Sequence, residues 1–360
     1  MYKRITLKVG SNVLTDAEGG PSAERIAQLV DQIAALKARG IEVLFVSSGA
    51  IASGRTVISQ PRHRDTVSCR QLWASVGQIR LIRLYADLFA RKGIVCSQVL
   101  ATKEDFRDRR HFLNMRNCLE TLLENNIVPI INENDVISVT ELMFTDNDEL
   151  SGLISDMMNV DALVILSNVA GLYNGNPADP ASTVIRTVPP YGASVAQFVS
   201  SQKSDFGRGG MVTKSAIARK VAQNGIPVHL ACGFEPGILT DILDGKDVVH
   251  TYFAPGRRKT PIKRWLAHAD GEAKGTLRIN EQAVSSLFSE KASSLLPVGV
   301  IAVEGTFQKG DVVRIVDREG HLLGLGKAEY DHATAARHIG AHHVRPVVRY
   351  DYLFLYSEQP

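Results

Sequence analysis

The residues able to do chemistry in this chain are gathered in four short polar segments. The first is Lys8-Val-Gly-Ser-Asn12, where an ammonium group precedes a Gly-Ser-Asn turn with exposed backbone N–H groups. Both features favour an oxyanion, so the segment suits a phosphate, although a solvated lysine at a strand end would read the same way. The second is Ser47-Ser-Gly-Ala50, which leads from an apolar run into the helix-like Ile51 to Val57. Gly49 would let a ligand approach the main chain, or simply allow a tight turn. The third and densest is Asn132-Glu-Asn-Asp135, followed after ten residues by Asp146-Asn-Asp-Glu149. Carboxylates there could hold an amino group or Mg²⁺, and amides could bind a carboxylate substrate; a solvated loop with an aspartate cap is the plainer alternative. Neither run has the spacing of a calcium loop. The fourth, Gly207-Arg-Gly-Gly-Met-Val-Thr-Lys214, runs into the helical Ser215 to Asn224. Glycines ahead of a helix with Lys214 in its first turns suit a phosphate at the positive helix end. No glycine directly precedes Lys214, which excludes a Walker loop, and Val212 stands where G-x-G-x-x-G needs its third glycine.

These segments need elements to position them. Short β-branched apolar runs at Ile5 to Val9, Glu42 to Val46, Ile94 to Leu100, Ile127 to Ile131, Ala162 to Leu166 and Ile226 to Ala231 read as buried strands. Between the first two, Ile26, Leu29, Val30, Ile33 and Leu36 recur at helical spacing behind Ser22, a suitable cap, and a second helix is expected over Glu149 to Asn159. Strand and helix in alternation predict a parallel sheet covered on both faces, an α/β fold. In such a sheet the ligand site lies at the carboxyl ends of the strands, which is where Lys8 to Asn12, Ser47 to Ala50, Asn132 to Asp135 and Ser167-Asn168 fall. After about residue 255 the pattern changes to Gly-punctuated runs at Gly299 to Val303, Asp311 to Val316, Leu322 to Gly326 and Val347 to Tyr352, which predict a small β-barrel. The expected division is a first domain over 1–255, a linker over 256–273 and a second domain over 274–360.

Bulk properties narrow the partners. The 360 residues are 44% hydrophobic and 22% charged, and 41 Lys+Arg against 38 Asp+Glu leave only +3, so no polyelectrolyte partner follows from charge. Cys69, Cys96, Cys118 and Cys232 are scattered and are expected as reduced, mostly buried thiols. The start leaves no room for a signal peptide and no apolar run reaches the roughly 18 residues of a membrane span, so a cytoplasmic protein with no membrane partner is expected.

Taken together and in order, L-K-V-G-S-N-V-L at the start, V-S-S-G-A-I-A-S-G-R at 46–55, Q-L-W-A-S-V-G-Q-I-R-L at 71–81, N-N-I-V-P-I-I-N-E-N-D at 125–135, D-N-D at 146–148, G-L-Y at 171–173 and G-R-G-G-M-V-T-K at 207–214 resemble the amino acid kinase family. The resemblance covers nearly the whole chain. It implies a three-layer αβα sandwich with a mainly parallel sheet, binding ATP with Mg²⁺ beside L-glutamate and transferring the γ-phosphate to the glutamate side-chain carboxylate, the first step of proline biosynthesis. Lys8 and Lys214 would neutralise the phosphates and Asp148 would orient both lysines. Ser48, Asp135, Asn147 and the Asn134 region would hold glutamate; Lys8, Gly10, Ser167, Asn168 and the loop Arg208, Gly209, Gly210, Met211, Val212, Thr213, Lys214 would bind the nucleotide. Mg²⁺ would arrive on ATP, with no side chain assigned to it. Asn168 departs from the aspartate common in the family, and Gly171 to Pro177 departs from the more frequent Tyr-Thr-x-Asp-Pro form, both on the nucleotide side. Family members acting on acetylglutamate, carbamate or a nucleoside monophosphate are alternatives, as is an RNA-binding regulator acting through the C-terminal domain. The resemblance further implies a homo-oligomer, dimer or tetramer, inhibition by proline and handover to a glutamyl phosphate reductase.

The tail, through S-S-L-L-P-V-G at 293–299 and G-x-F-x-x-G-D at 305–311, resembles the PUA domain, a small β-barrel of RNA-modifying enzymes. Residues 258–360 hold 14 Lys+Arg and 12 Asp+Glu, a weak attraction for RNA. His338, His342 and His343 read as surface histidines rather than metal ligands.

Overall fold

The computed structural model describes residues 2–62, 65–137, 144, 146–177, 179–191, 210–267, 269–289 and 293–356. Along the first part of the chain the elements are β1 (Arg4–Val9), α1 (Ser11–Leu14), α2 (Ala23–Ala38), β2 (Glu42–Ser47), α3 (Ala50–Val57), α4 (Thr66–Ala90), β3 (Cys96–Ala101), α5 (Glu104–Arg107), α6 (Arg109–Glu124), β4 (Val128–Glu133), α7 (Asn147–Met158), β5 (Ala162–Ser167), β6 (Thr187–Val188), α8 (Met211–Gln223), β7 (Val228–Cys232), α9 (Ile238–Leu243) and β8 (His250–Phe253). The eight strands form one sheet in the order β3-β4-β2-β1-β5-β7-β8-β6, parallel except where β8 pairs antiparallel with β7. Each predicted strand of this region forms within two residues of its expected ends. β6 and β8 are additional.

Side-chain alternation sorts the central strands onto two cores. Ile5, Leu7 and Val9 of β1 join Val43 and Phe45 of β2, Val164 and Leu166 of β5, the apolar stripe of α2 and Leu81, Tyr85 and Phe89 of α4. Thr6 and Lys8 point to the opposite face, where α7 packs over β1, β2, β4 and β5. Burial on both faces explains why these strands read as continuous apolar runs rather than alternating ones. Ser22 caps α2 through its Oγ, which accepts from Arg25 N at 3.4 Å.

The chain divides into two compact units, one of residues 1–105 and 113–258, the other of 106–112 and 259–360. The second contains α10 (Pro261–Leu266), β9 (Gly275–Ile279), α11 (Glu281–Leu287), β10 (Val300–Gly305), β11 (Val312–Val316), β12 (Leu322–Ala328), α12 (His332–Arg337) and β13 (Val348–Leu355). Its five strands run β10-β9-β11-β12-β13, antiparallel save for the parallel pair β9 and β11. Leu277, Ile279, Phe307, Val313, Ile315, Leu323 and Val348 fill its core. The cysteines are all free, but only Cys69 is buried; Cys96 and Cys232 are half-buried and Cys118, on α6, is exposed, which corrects the expectation of mostly buried thiols.

Candidate active site

β1 leads back to one side of the sheet and β5 onward to the other, so the strand order reverses between them, the place where an α/β sheet opens a crevice at its carboxyl edge. Lys8 is the penultimate residue of β1, and Ser167 ends β5 beside it. Gly10 N donates to Leu166 O at 3.2 Å, which pins the turn after β1 to the neighbouring strand. Having no side chain, Gly10 leaves the space beside Lys8 open: a Cβ there would stand 3.8 Å from Lys8 Nζ.

Asp148 is the centre of the charge cluster. Asp146 caps α7, its Oδ1 accepting from Asp148 N at 2.8 Å and Glu149 N at 3.2 Å, and this places the Asp148 side chain in the first turn, under the sheet. Lys8 Nζ pairs with Asp148 Oδ1, and Lys214 Nζ donates to Asp148 Oδ2 at 2.7 Å. Two ammonium groups that are 206 positions apart in the chain thus rest on one carboxylate that is fully buried. The Lys8 side chain is 4% exposed and that of Lys214 14%, so Lys214 is the more open of the two. Burial by itself would raise the Asp148 carboxyl, but the charges of Lys8 and then Lys214 outweigh it and hold it down at about 2. Asp146 goes the other way: burial, and next the neighbouring Asp148 charge, push it up to about 6.

Asn147, between these two aspartates, faces the second cluster. Its Nδ2 donates to Ser48 Oγ and Asn132 Oδ1, each at 2.9 Å, and lies 3.3 Å from Ser47 O. Asn132 in turn donates to Gln78 Oε1 on α4 at 2.9 Å. Asn147 Oδ1 and Asp146 Oδ2 are buried without a hydrogen-bond partner among the described residues, unusual for polar atoms so enclosed. At the end of β4 and just beyond it, the buried Asp135 Oδ1 accepts from Arg70 Nε at 2.9 Å and Nη2 at 2.6 Å, with Glu133 Oε2 at 3.5 Å from the same guanidinium. Asn134 is held through its backbone N–H, which donates to Ala101 O at 2.8 Å.

On the other side, α8 starts at Met211 with Gly210 as a cap that offers no side chain, four residues earlier than expected. Met211, Val212, Thr213 and Lys214 therefore form its first turn, with Val212 exposed. Ser167 is buried and its Oγ reaches Asn168 Oδ1 at 3.3 Å, while Asn168 is exposed. Arg208 and Gly209 lie outside the described residues. Lys8, Gly10 and Ser167 thus lie at the carboxyl ends of the paired strands β1 and β5, Asp148 and Lys214 are joined to Lys8 through the shared carboxylate, and Asn147 ties in Ser48 and Asn132. Sequence reasoning missed Arg70 and Gln78, which nothing local marks; the aspartate cap weighed for the 146–149 run is Asp146. Among the described residues, the one group of side chains spaced to hold a metal is Asp317, Glu319 and His321, in a turn of the second unit.

Residues 3–232 match the model of the amino acid kinase family, and residues 275–348 that of the PUA domain. The chain belongs to the amino acid kinase family. Within it, a glutamate 5-kinase of Bacteroides thetaiotaomicron is 51% identical over 356 residues, covering 98% of this chain and 99% of its own. Another glutamate 5-kinase, of Chlorobaculum tepidum, is 47% identical over 360 residues, 99% of this chain and 98% of its own. In fold the chain is similar to a carbamate kinase from Giardia lamblia bound to AMP-PNP, with a TM-score of 0.51 at 16% identity over 71% of this chain and 99% of that one. An isopentenyl phosphate kinase of T. acidophilum gives 0.51 at 17% identity over 70% of this chain and all of its own. At that distance the shared property is the fold.

Proposed function

We propose that this chain transfers the γ-phosphate of ATP to the side-chain carboxylate of L-glutamate, releasing ADP and L-glutamyl 5-phosphate. The full-length likeness to proteins named glutamate 5-kinase supports the substrate, and the meeting of Lys8 and Lys214 on Asp148 carries the reaction. A carboxylate oxygen attacks the γ-phosphorus as the bond to the bridging oxygen breaks, and that electron pair leaves with ADP. The nucleophile has a pKa of about 4.3 and is already ionised at neutral pH, so no general base is needed. What must be overcome is repulsion between anions. Positive charge fixed in a water-poor crevice does this without reorganising during the step.

Lys214, the more open ammonium, acts on the transferring phosphoryl oxygens, and Lys8, deeper in the crevice, on the bridging oxygens. Asp148 keeps both in place and, held ionised, stops them from repelling each other apart. The α8 N-terminus, with Gly210 to Lys214, receives phosphate oxygens on backbone N–H groups, and Ser167, Asn168 and Gly10 complete the nucleotide side. Mg²⁺ would arrive with ATP and would supply further neutralisation, with no side chain of this chain assigned to it. Ser48, Asn147, Asn134 and Asp135 hold glutamate, Ser48 and Asn134 taking its carboxylates and Asp135, with the Asn147 Oδ1 that is unpartnered among the described residues, its ammonium.

The test is glutamate-dependent ADP release with hydroxylamine trapping of the acyl phosphate, run beside acetylglutamate, carbamate and nucleoside monophosphates. Turnover on glutamate is expected; turnover on one of the others alone would sink the reading. Lys214→Met should lower kcat by roughly a hundredfold or more with little change in the glutamate KM, and an effect confined to KM would remove Lys214 from the chemistry.

A further inference from the structure

The two helices that carry the site's charges are tied together at their far ends as well. α7 and α8 run parallel, because Asp148 near the start of α7 meets Lys214 near the start of α8, and about two turns later Asp156 Oδ2 accepts from Asn224 Nδ2, at the C-cap of α8, at 2.9 Å. Between these links Gly152 lies against α8, where a Cβ would stand 3.2 Å from Ile217 Cγ2 and 3.1 Å from Val221 Cγ2. Asp156 is 3% exposed and Asn224 1%. Burying a carboxylate and an amide in a helix interface costs desolvation that an apolar pair would avoid, and the transfer chemistry touches neither. Beside them Arg258 Nη2 donates to Asn159 Oδ1 at 3.0 Å and Asn159 O at 3.2 Å, at the C-cap of α7.

We propose that Asp156 and Asn224 are positioning residues: their bond fixes the axial register of α8 on α7 and thereby holds Lys214 Nζ on Asp148. This rests on the transfer reaction proposed above. Aliphatic contacts such as those around Gly152 tolerate sliding, whereas a hydrogen bond has one length and direction. A slip of one residue moves a helix by about 1.5 Å and turns its side chains by about 100°, which would swing Lys214 away from Asp148. From the other end nothing resists such a slip through a side-chain cap, since α8 begins on Gly210.

Asn224→Asp removes the donor and sets two carboxylates together, while Asp156→Asn with Asn224→Asp restores one bond with its polarity reversed. The single variant should lose about tenfold to a hundredfold in kcat with both KM values unchanged, as misplacement by an ångström does. The double variant should regain most of the loss. Independently of turnover, acylation of Lys214 by an amine-reactive ester, measured by mass spectrometry against the exposed Lys246, should speed up several-fold in the single variant and fall back in the double. Where Asn224→Asp does not fold, Asn224→Ser breaks the bond without adding charge and takes the same readouts. An unchanged kcat and unchanged Lys214 labelling in the folded single variant would overturn the proposal, as would a double variant that regains melting temperature without regaining kcat. Should the wild type show no glutamate-dependent turnover, the proposed function falls, and the labelling still decides the positioning role.

Discussion

Replacing Asp148 by Asn keeps the outline of the side chain and removes the charge on which two ammonium groups rest. With aspartate the trio carries one net positive charge; with asparagine it carries two, one of them on Lys8, whose side chain is 4% exposed. Breaking a buried pair from one side costs about 3 to 5 kcal/mol, because the remaining charge stays desolvated. At about 2 to 4 °C per kcal/mol for a unit of this size, the melting temperature should fall by about 6 to 20 °C. The sign with pH follows from the direction of the shift. Asp148 is depressed to about 2, so its contribution is complete above the ordinary carboxylate range and is lost as pH falls through about 2. The gap between variant and wild type should therefore be flat from neutral pH down to about pH 5 and close in acid. ATP brings the missing negative charge, so it should raise the melting temperature of the variant more than that of the wild type. Scanning calorimetry with and without ATP reads the stability, and hydroxamate formation reads kcat, which should drop by about a hundredfold or more. A melting temperature within about 2 °C of wild type at pH 7, or a large drop with kcat intact, would refute the account of Asp148 as the anchor of both lysines.

Three further outcomes are expected. Asp135→Asn should raise the glutamate KM about tenfold or more and leave the ATP KM nearly unchanged, as steady-state kinetics would show; equal losses would mean that the Arg70 pair serves only the fold. Asp146 is raised to about 6, so the stability tied to its protonated form is present in acid and is lost as pH rises through 6. Asp146→Asn, which keeps a capping oxygen, should thus be more stable than wild type at pH 8 by roughly 1 to 3 kcal/mol and equal to it near pH 4, by urea titration. Gly77→Ala should cost about 2 to 3 kcal/mol, again by urea titration, because α3 and α4 cross so closely that its Cβ would stand 1.8 Å from Ala50 O, with Gly54 meeting Trp73 O in the same way at 1.9 Å.

Of the six predicted strands, β1, β2, β4, β5 and β7 were legible because burial on both faces leaves continuous apolar runs, a signal that needs no knowledge of neighbours, while β3, at the edge of the sheet and only partly buried, was legible from Ile94, Val95, Val99 and Leu100 alone. β6 has two residues and β8 carries His250 and Tyr252 among its four, so neither presents such a run. The start of α8 was placed late because Met211 to Lys214 looks like the end of a glycine-rich loop, and only the position of Gly210 as cap distinguishes the two. Lys8, Asp148 and Lys214 could be picked out by type and place, but their convergence on one carboxylate was implied only by the family resemblance, since it depends on which helix covers β1. Arg70 and Gln78 were invisible for the same reason: they lie on a helix with other polar residues, and their partners come 65 and 54 residues later.

The membership of residues 106–112 in the second unit bears on how this chain can be taken apart. Phe106 and Phe112 are buried, and the Arg109 guanidinium stacks on Trp265 at 5.0 Å. A protease or an engineer cutting after Arg258 would remove Trp265 but leave these seven residues behind, with two phenylalanines stripped of their surroundings. The tail is therefore woven into the middle of the polypeptide rather than hung from its end, and a shortened chain should be sticky before it is inactive.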